Sequence, residues 1–121
     1  ATDDSGAVDA ASAATTVTRP FRTEPEASAE LGQAALWYES QRAGLGGQFL
    51  EAIDDALSYI ARWPHAGVRV PDVPLDLPVR RVPVRRFPYH VVYLEMLDAI
   101  RILAFAHDRR LPGYWHSRAL K

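Results

Sequence analysis

The stretch Val79–His107, VRRVPVRRFPYHVVYLEMLDAIRILAFAH, decides the fold. Alternation across VRRVPVRRF (79–87) predicts a strand, and Pro83 places it at an edge or a bulge. YHVVYLEM (89–96) has the aromatic and β-branched composition of a second strand. Leu97-Asp98 supplies a hairpin turn, and AIRILAFAH (99–107) reads as a third, buried strand. Three strands joined by short turns make an antiparallel meander.

Upstream the periodicity changes. RPFRT (19–23) reads as a short first strand, with Pro20 at its start or at an edge. Thr23 and Glu26 have capping-box spacing, and Pro25 falls in the first turn of a helix, where its missing N–H is harmless. From there to Gln41, Ala27, Leu31, Ala34, Ala35 and Tyr38 share one helical face. Gly44 is expected to stop this helix, with GLGG (44–47) as a tight connection. That glycine run follows a helix and lacks a Lys-Ser/Thr pair, so it reads as a turn and not as a phosphate loop. Phe49, Leu50, Ile53, Ala56, Leu57 and Ile60 form the apolar stripe of a second helix, ended by Trp63-Pro64. So short a link predicts an antiparallel helix hairpin. Residues 65–78, with Pro71, Pro74 and Pro78, read as loop. One strand, a helix hairpin and then a three-stranded meander predict an α+β domain, with the helices packed on one face of a curved sheet.

The 121 residues suit one domain. Residues 1–18 are mostly Ala, Ser, Thr and Asp and are expected to be a disordered tail or an upstream extension, leaving 19–121 as the domain. With no cysteine, disulfides and thiolate zinc sites are excluded. No apolar run reaches the roughly 18–20 residues of a membrane span, and residues 1–18 lack the pattern of a signal peptide. A cytoplasmic protein with no membrane partner is expected. The formal net charge of −1 conceals an asymmetry. Residues 79–121 hold eight arginines and one lysine against three acids, whereas residues 19–78 hold nine acids against five arginines. The basic third points to an anionic partner, or to pairing with the acids of the helices.

The candidate anion-contacting residues are Arg80, Arg81, Arg85, Arg86, Arg109, Arg110 and Arg118. A guanidinium fork grips phosphate or carboxylate through two hydrogen bonds at once. By alternation, Arg81 and Arg85 share one face with Phe87, and Arg80 and Arg86 share the other with Val82 and Val84. His107 closes the last strand, with the parity of Arg101, Leu103 and Phe105. Beside Arg109 and Arg110 it is expected to be neutral: a base, or a structural histidine holding the turn. Tyr114 and Trp115 either stack on a nucleobase or cover the sheet end. His65 and His90 have no evident partners, and His116 is expected to be exposed without a role. No histidine spacing supports a metal site, no serine sits on a nucleophile elbow, and no cofactor is expected.

ALWYESQRAGLGGQFLEAIDDAL (35–57), VRRVPVRRFPYHVVYLE (79–95) and IRILAFAHDRRLPGYWHSR (100–118) together resemble the RelE/ParE superfamily of toxins from bacterial type II toxin–antitoxin modules. The pattern is most similar to the ParE-like branch, also called plasmid stabilisation proteins. The similarity runs from about Phe21 to Arg118. It rests on Trp-Tyr-Glu followed by Gly-Leu-Gly, on Arg-Phe-Pro-Tyr (86–89), and on the His-x-x-Arg-x-Pro-x-Tyr-Trp of residues 107–115. The resemblance implies the fold already read and a growth-arresting protein neutralised by a cognate antitoxin. For the ParE-like branch it implies DNA gyrase as target, poisoned by binding. For the RelE-like branch it implies ribosome-dependent mRNA cleavage, with His107 as acid/base, Arg81, Arg86 and Arg110 as phosphate clamps and Tyr114 as stacking or relay group. Many such nucleases are rich in lysine, whereas here Lys121 is the only one. Arginine clamps an anion but is a poor proton donor at neutral pH, which favours the gyrase reading. A domain of the same fold that only binds is the third possibility.

Overall fold

The structure, a computed structural model, describes residues 19–121; the tail expected over residues 1–18 lies outside them. Strand β1 (Phe21–Thr23) lies parallel to the last strand, β5 (Ile100–His107), at the edge of the sheet. Pro20 precedes it and offers only its carbonyl, which accepts from Ile100 N–H at 2.9 Å. Helix α1 (Pro25–Gln41) begins on Pro25, but the expected capping box does not form. Thr23 is still in β1, and the cap position falls to Glu24, whose carboxylate turns to Arg101 instead.

Helix α2 spans Leu45–Arg62, so most of GLGG is its first turn and not a connection. Gly44 is the residue before α2 and does not stop α1; its φ of +89° is a conformation that glycine adopts without strain. Gly46 lets the two helices approach, since a Cβ there would stand 2.6 Å from the Ala35 carbonyl oxygen. Glu39, near the end of α1, accepts from Gly44 N–H at 2.9 Å and Gly46 N–H at 3.0 Å. It thereby caps α2 from the preceding helix.

The helix hairpin packs on one face of a curved, open five-stranded sheet that contains β2 (Val68–Arg69), β3 (Val79–Pro83) and β4 (Tyr89–Glu95) in the order β1-β5-β4-β3-β2. The expected meander is β3 (Val79–Pro83), β4 (Tyr89–Glu95) and β5, with the turn after β4 at Leu97-Asp98 as expected. Residues 65–78 are not all loop: β2 (Val68–Arg69) pairs with β3, and a single 3₁₀ turn covers Pro74–Asp76. Ala27, Ala34, Phe49, Ile53, Ala56 and Ile60 meet Val82, Val84, Val91, Tyr93, Ile100, Ile102 and Phe105 in the main core. Leu50, expected on the apolar stripe of α2, is 41% exposed.

Two parity expectations fail for local reasons. Arg85 and Arg86 form a turn beyond β3, with Arg86 at φ +73°, so Phe87 packs with the Val82 and Val84 face and not with Arg81. In β5, Val92 pairs with Ala104 and Tyr93 with Ile102, which makes Leu103 the extra residue of a bulge. Side chains beyond it are shifted by one position, so Phe105 and His107 face the helix hairpin while Leu103 faces away. The opposite sheet face carries a second core of Val73, Val79, Val92, Leu94, Leu103, Ala104, Ala106, Trp115 and Ala119. Trp115 and a short helix α3 (His116–Ala119) cover it. Among the described residues no helix is long and apolar enough to cross a membrane.

Phe49 is fully buried (0% exposed) and Leu50 is not, so truncation should separate them. Phe49→Ala is expected to lose about 3–5 kcal/mol in urea unfolding. Leu50→Ala should lose about 1 kcal/mol or less.

Candidate functional site

The arginines of residues 79–121 fall into two sets. One set is locked into the scaffold. Glu30 of α1 accepts from Arg118 Nη1 and Nη2 at 3.0 and 3.1 Å, from the Tyr114 hydroxyl at 2.7 Å and from Phe105 N–H at 3.2 Å. Arg118 Nη1 also donates to the Leu103 carbonyl at 3.0 Å. The side chains of Arg118 and Glu30 are 11% and 15% exposed. Arg101 pairs with Glu24 at 2.9 Å and donates to the Arg118 carbonyl at 2.7 Å. Lys121 pairs with Glu26 at 2.8 Å. Arg80 donates to the Gly67 carbonyl at 2.7 Å.

These contacts shape two ionisations. Burial, and then the hydrogen bond to Glu30, hold the Tyr114 phenol far above the usual tyrosine range. Burial disfavours the Arg118 cation, but the Glu30 carboxylate outweighs it and raises that group above the ordinary arginine value.

The other set is open. Arg81, Arg85, Arg86, Arg109 and Arg110 are exposed, and none has a carboxylate within 4.0 Å among the described residues. Arg85 and Arg86 line a cleft against α2, beside Gln48, Glu51 and Asp55. Arg81, Arg110 and Tyr114 come together in a different cleft, on the face opposite the helix hairpin, which His107 borders from the end of β5. There Arg110 stacks on the Tyr114 ring, its guanidinium carbon 3.8 Å from the centroid. His107 Nδ1 accepts from Arg109 N–H at 3.0 Å, and the ring stands edge-on to Tyr89 with centroids 5.0 Å apart. A neutral His107 therefore carries its proton on Nε2. Trp115 is buried, and His116 packs edge-on against it over Gly113 instead of standing free.

Three side-chain pairings escaped the sequence reading. His90 has a partner after all: its Nδ1 lies 2.9 Å from Asp108 Oδ1, in the cleft that holds Arg81 and Arg110. His65 likewise meets Glu95, at 2.6 Å. Glu30 gave no signal beyond being an acid on a helix. The pairing of His90 with Asp108 needed the register of β4 on β5, which places His90 opposite Ala106. Among the described residues no three His, Asp or Glu side chains gather in a metal-holding group.

Fold and cleft together define a small α+β domain that presents exposed arginines on an open sheet face and on the turns beside it. No family model matches the chain, and no curated protein matches it significantly. Among solved structures it is similar to a chain described as the chromosomal ParDE TA system from P. aeruginosa. The TM-score is 0.55 at 18% sequence identity, over 74% of this chain and 96% of that one. The likeness bears out the fold that the sequence resemblance implied.

Two outcomes follow from the Glu30 cluster. Glu30→Gln leaves Arg118 with half a partner and should cost about 3 kcal/mol in urea unfolding. Because the folded-state pKa of Tyr114 is raised above its usual value of 10.0, its contribution to stability is complete below about pH 10. Above that the unfolded chain releases the proton first, so stability falls as pH rises. Tyr114→Phe should flatten part of that alkaline loss, read as the unfolding midpoint between about pH 9 and 11.

Proposed function

We propose that this chain is the growth-inhibiting toxin of a type II toxin–antitoxin module, ParE-like, acting in the cytoplasm by binding DNA gyrase and neutralised by a cognate antitoxin protein. The observation that carries the reading is the set of five exposed arginines within residues 79–121 that have no ion-pair partner among the described residues, on a fold similar to that of the P. aeruginosa ParDE chain. Unpaired surface guanidinium groups on a strand and on the turns that end two strands suit the capture of an anionic target. Target contact falls to Arg81, Arg85, Arg86, Arg109 and Arg110, while Arg80 and Arg118 support the scaffold.

Two of the groups that an RNA-cleaving reading would recruit, Tyr114 and His107, are engaged elsewhere. Tyr114 donates its proton to Glu30 and holds it tightly. His107 Nδ1 holds the turn through Arg109 N–H, and Lys121 is tied to Glu26. This supports a poison that acts by binding over one that cleaves.

The deciding assay sets the purified protein against gyrase and plasmid DNA, scoring supercoiling and trapped cleavage complexes, beside ribosome-programmed mRNA. Lost supercoiling with intact mRNA is expected; cleaved mRNA with unaffected gyrase would reverse the reading. Replacing Arg86 and Arg110 together by Ala should raise the concentration for half-inhibition about tenfold or more while leaving the unfolding midpoint unchanged. Full potency in a folded double variant would remove the arginines from target contact.

A further inference from the structure

We infer that residues 9–17 of this chain, DAASAATTV, occupy the groove between α2 and β3 and bring Asp9 to Arg85 and Arg86. The chain thereby covers part of its own open arginine set. The inference concerns the chain by itself and does not depend on the target proposed above.

The groove comes first. Ala52, Ala56 and Tyr59 of α2 and Val82 and Pro83 of β3 line it. Tyr59 is 46% exposed, and β2 pairs with β3 no further than Arg81, so among the described residues nothing covers this apolar strip. Alanine walls admit a backbone only if its side chains are small. Residues 10–17 are Ala, Ser, Thr and Val without a charge, and such side chains lose little rotamer entropy on burial.

Arg19 places the entry. Its Nη1 donates to the Met96 carbonyl at 2.6 Å, and its Nη2 pairs with Glu95. Glu95 also meets His65, which follows the end of α2. By alternation Glu95 shares the face of Val91 and Tyr93, which pack under the hairpin. The chain therefore arrives on the hairpin face, beside the C-terminal end of α2, where Tyr59 and Trp63 are exposed and can receive Val17. Arg85 borders the far end of the groove. Pro83 stands opposite His90, so the path from Glu95 to Arg85 is about one strand length, roughly 20–25 Å. Asp9 precedes Arg19 by ten residues, and that many extended residues span at most about 33–36 Å. The segment reaches with slack for the crossing from β1.

Charge selects the contact. Residues 1–18 carry three acids and no base. Arg85 and Arg86 have no ion-pair partner among the described residues, although Glu51 and Asp55 line the cleft beside them. Two cations facing two acids leave that cleft near neutral. A polyanion would meet the acids of α2, whereas one isolated carboxylate can take a guanidinium fork.

The test uses the full chain, which has no cysteine, so a nitroxide on Ser12→Cys marks the segment alone. In isotope-labelled protein, a segment docked about half of the time or more should broaden the amide signals of Ala52, Ala56, Val82 and Arg85. Those of Ala104 and Ala119, in the core of the opposite face, should stay sharp. Asp9→Asn should lower the docking equilibrium about threefold, as should Asp9→Ala with Ala14→Asp, which keeps the charge but moves it. Broadening confined to residues near Phe21, or equal broadening with and without Asp9, would overturn the inference. So would broadening passed from spin-labelled chains to a separate labelled population, since the occupant would then be a second copy. The readout involves no gyrase, so failure here and failure of the proposed function are distinguishable.

Discussion

The carboxylate of Glu30 is the contact on which the arrangement of this molecule depends. A nearly buried carboxylate is unfavourable by several kcal/mol unless its oxygens are satisfied. Here they accept from two guanidinium nitrogens, a phenol and a backbone N–H. The partners come from β5 and from the C-terminal segment, so one side chain of α1 ties the helix hairpin to both. The tie sits at the bulge of β5, where regular pairing is interrupted and backbone groups need other partners. The Phe105 N–H takes Glu30 and the Leu103 carbonyl takes Arg118. The bulge in turn shifts parity, sending Phe105 and His107 to the hairpin side while Leu103 joins Trp115 beneath α3.

This explains why a basic C-terminal third does not behave as one surface. Glu24, Glu26 and Glu30 lie at the start of α1, and they take up Arg101, Arg118 and Lys121. Arg101 and Arg118 are thereby withdrawn from solvent. The arginines that remain open lie where the chain turns, Arg85 and Arg86 after β3 and Arg109 and Arg110 after β5, together with Arg81 on the uncovered sheet face. The expected pairing with the acids of the helices therefore holds for Arg101, Arg118 and Lys121 and not for the open arginines.

Much of the fold was legible because its signals are local. The stripe from Phe49 to Ile60 needs only helical periodicity, and the strands 89–95 and 100–107 need only composition and alternation. What failed needed information that no local pattern carries. Thr23 and Glu26 have the spacing of a capping box, but Thr23 pairs with Ile102 and Glu24 is drawn to Arg101, so tertiary contacts override the cap. The parity of Arg81 with Phe87, and of Arg101 with His107, assumed unbroken strands; a turn at Arg85-Arg86 and a bulge at Leu103 broke both. The arginines of the candidate site were visible as residue types. Their division into open and engaged was not, since it is decided by acids more than fifty residues away in sequence.

The open cleft follows from the same register. On the sheet face away from the hairpin, β3 presents Val79 and then Arg81, and β4 read from its far end presents Leu94, Val92 and then His90. On β5, Leu103, Ala104 and Ala106 give way to Asp108. Three strands change from apolar to polar toward the same end of the sheet. Trp115 and α3 cover the apolar end, and β2 pairs with β3 no further than Arg81. A face built only for stability would continue its apolar pattern under a longer cover, because leaving polar side chains on a sheet forgoes burial worth about 25 cal/mol for each Å². A carboxylate that orients a histidine between two unpaired arginines adds nothing to that core.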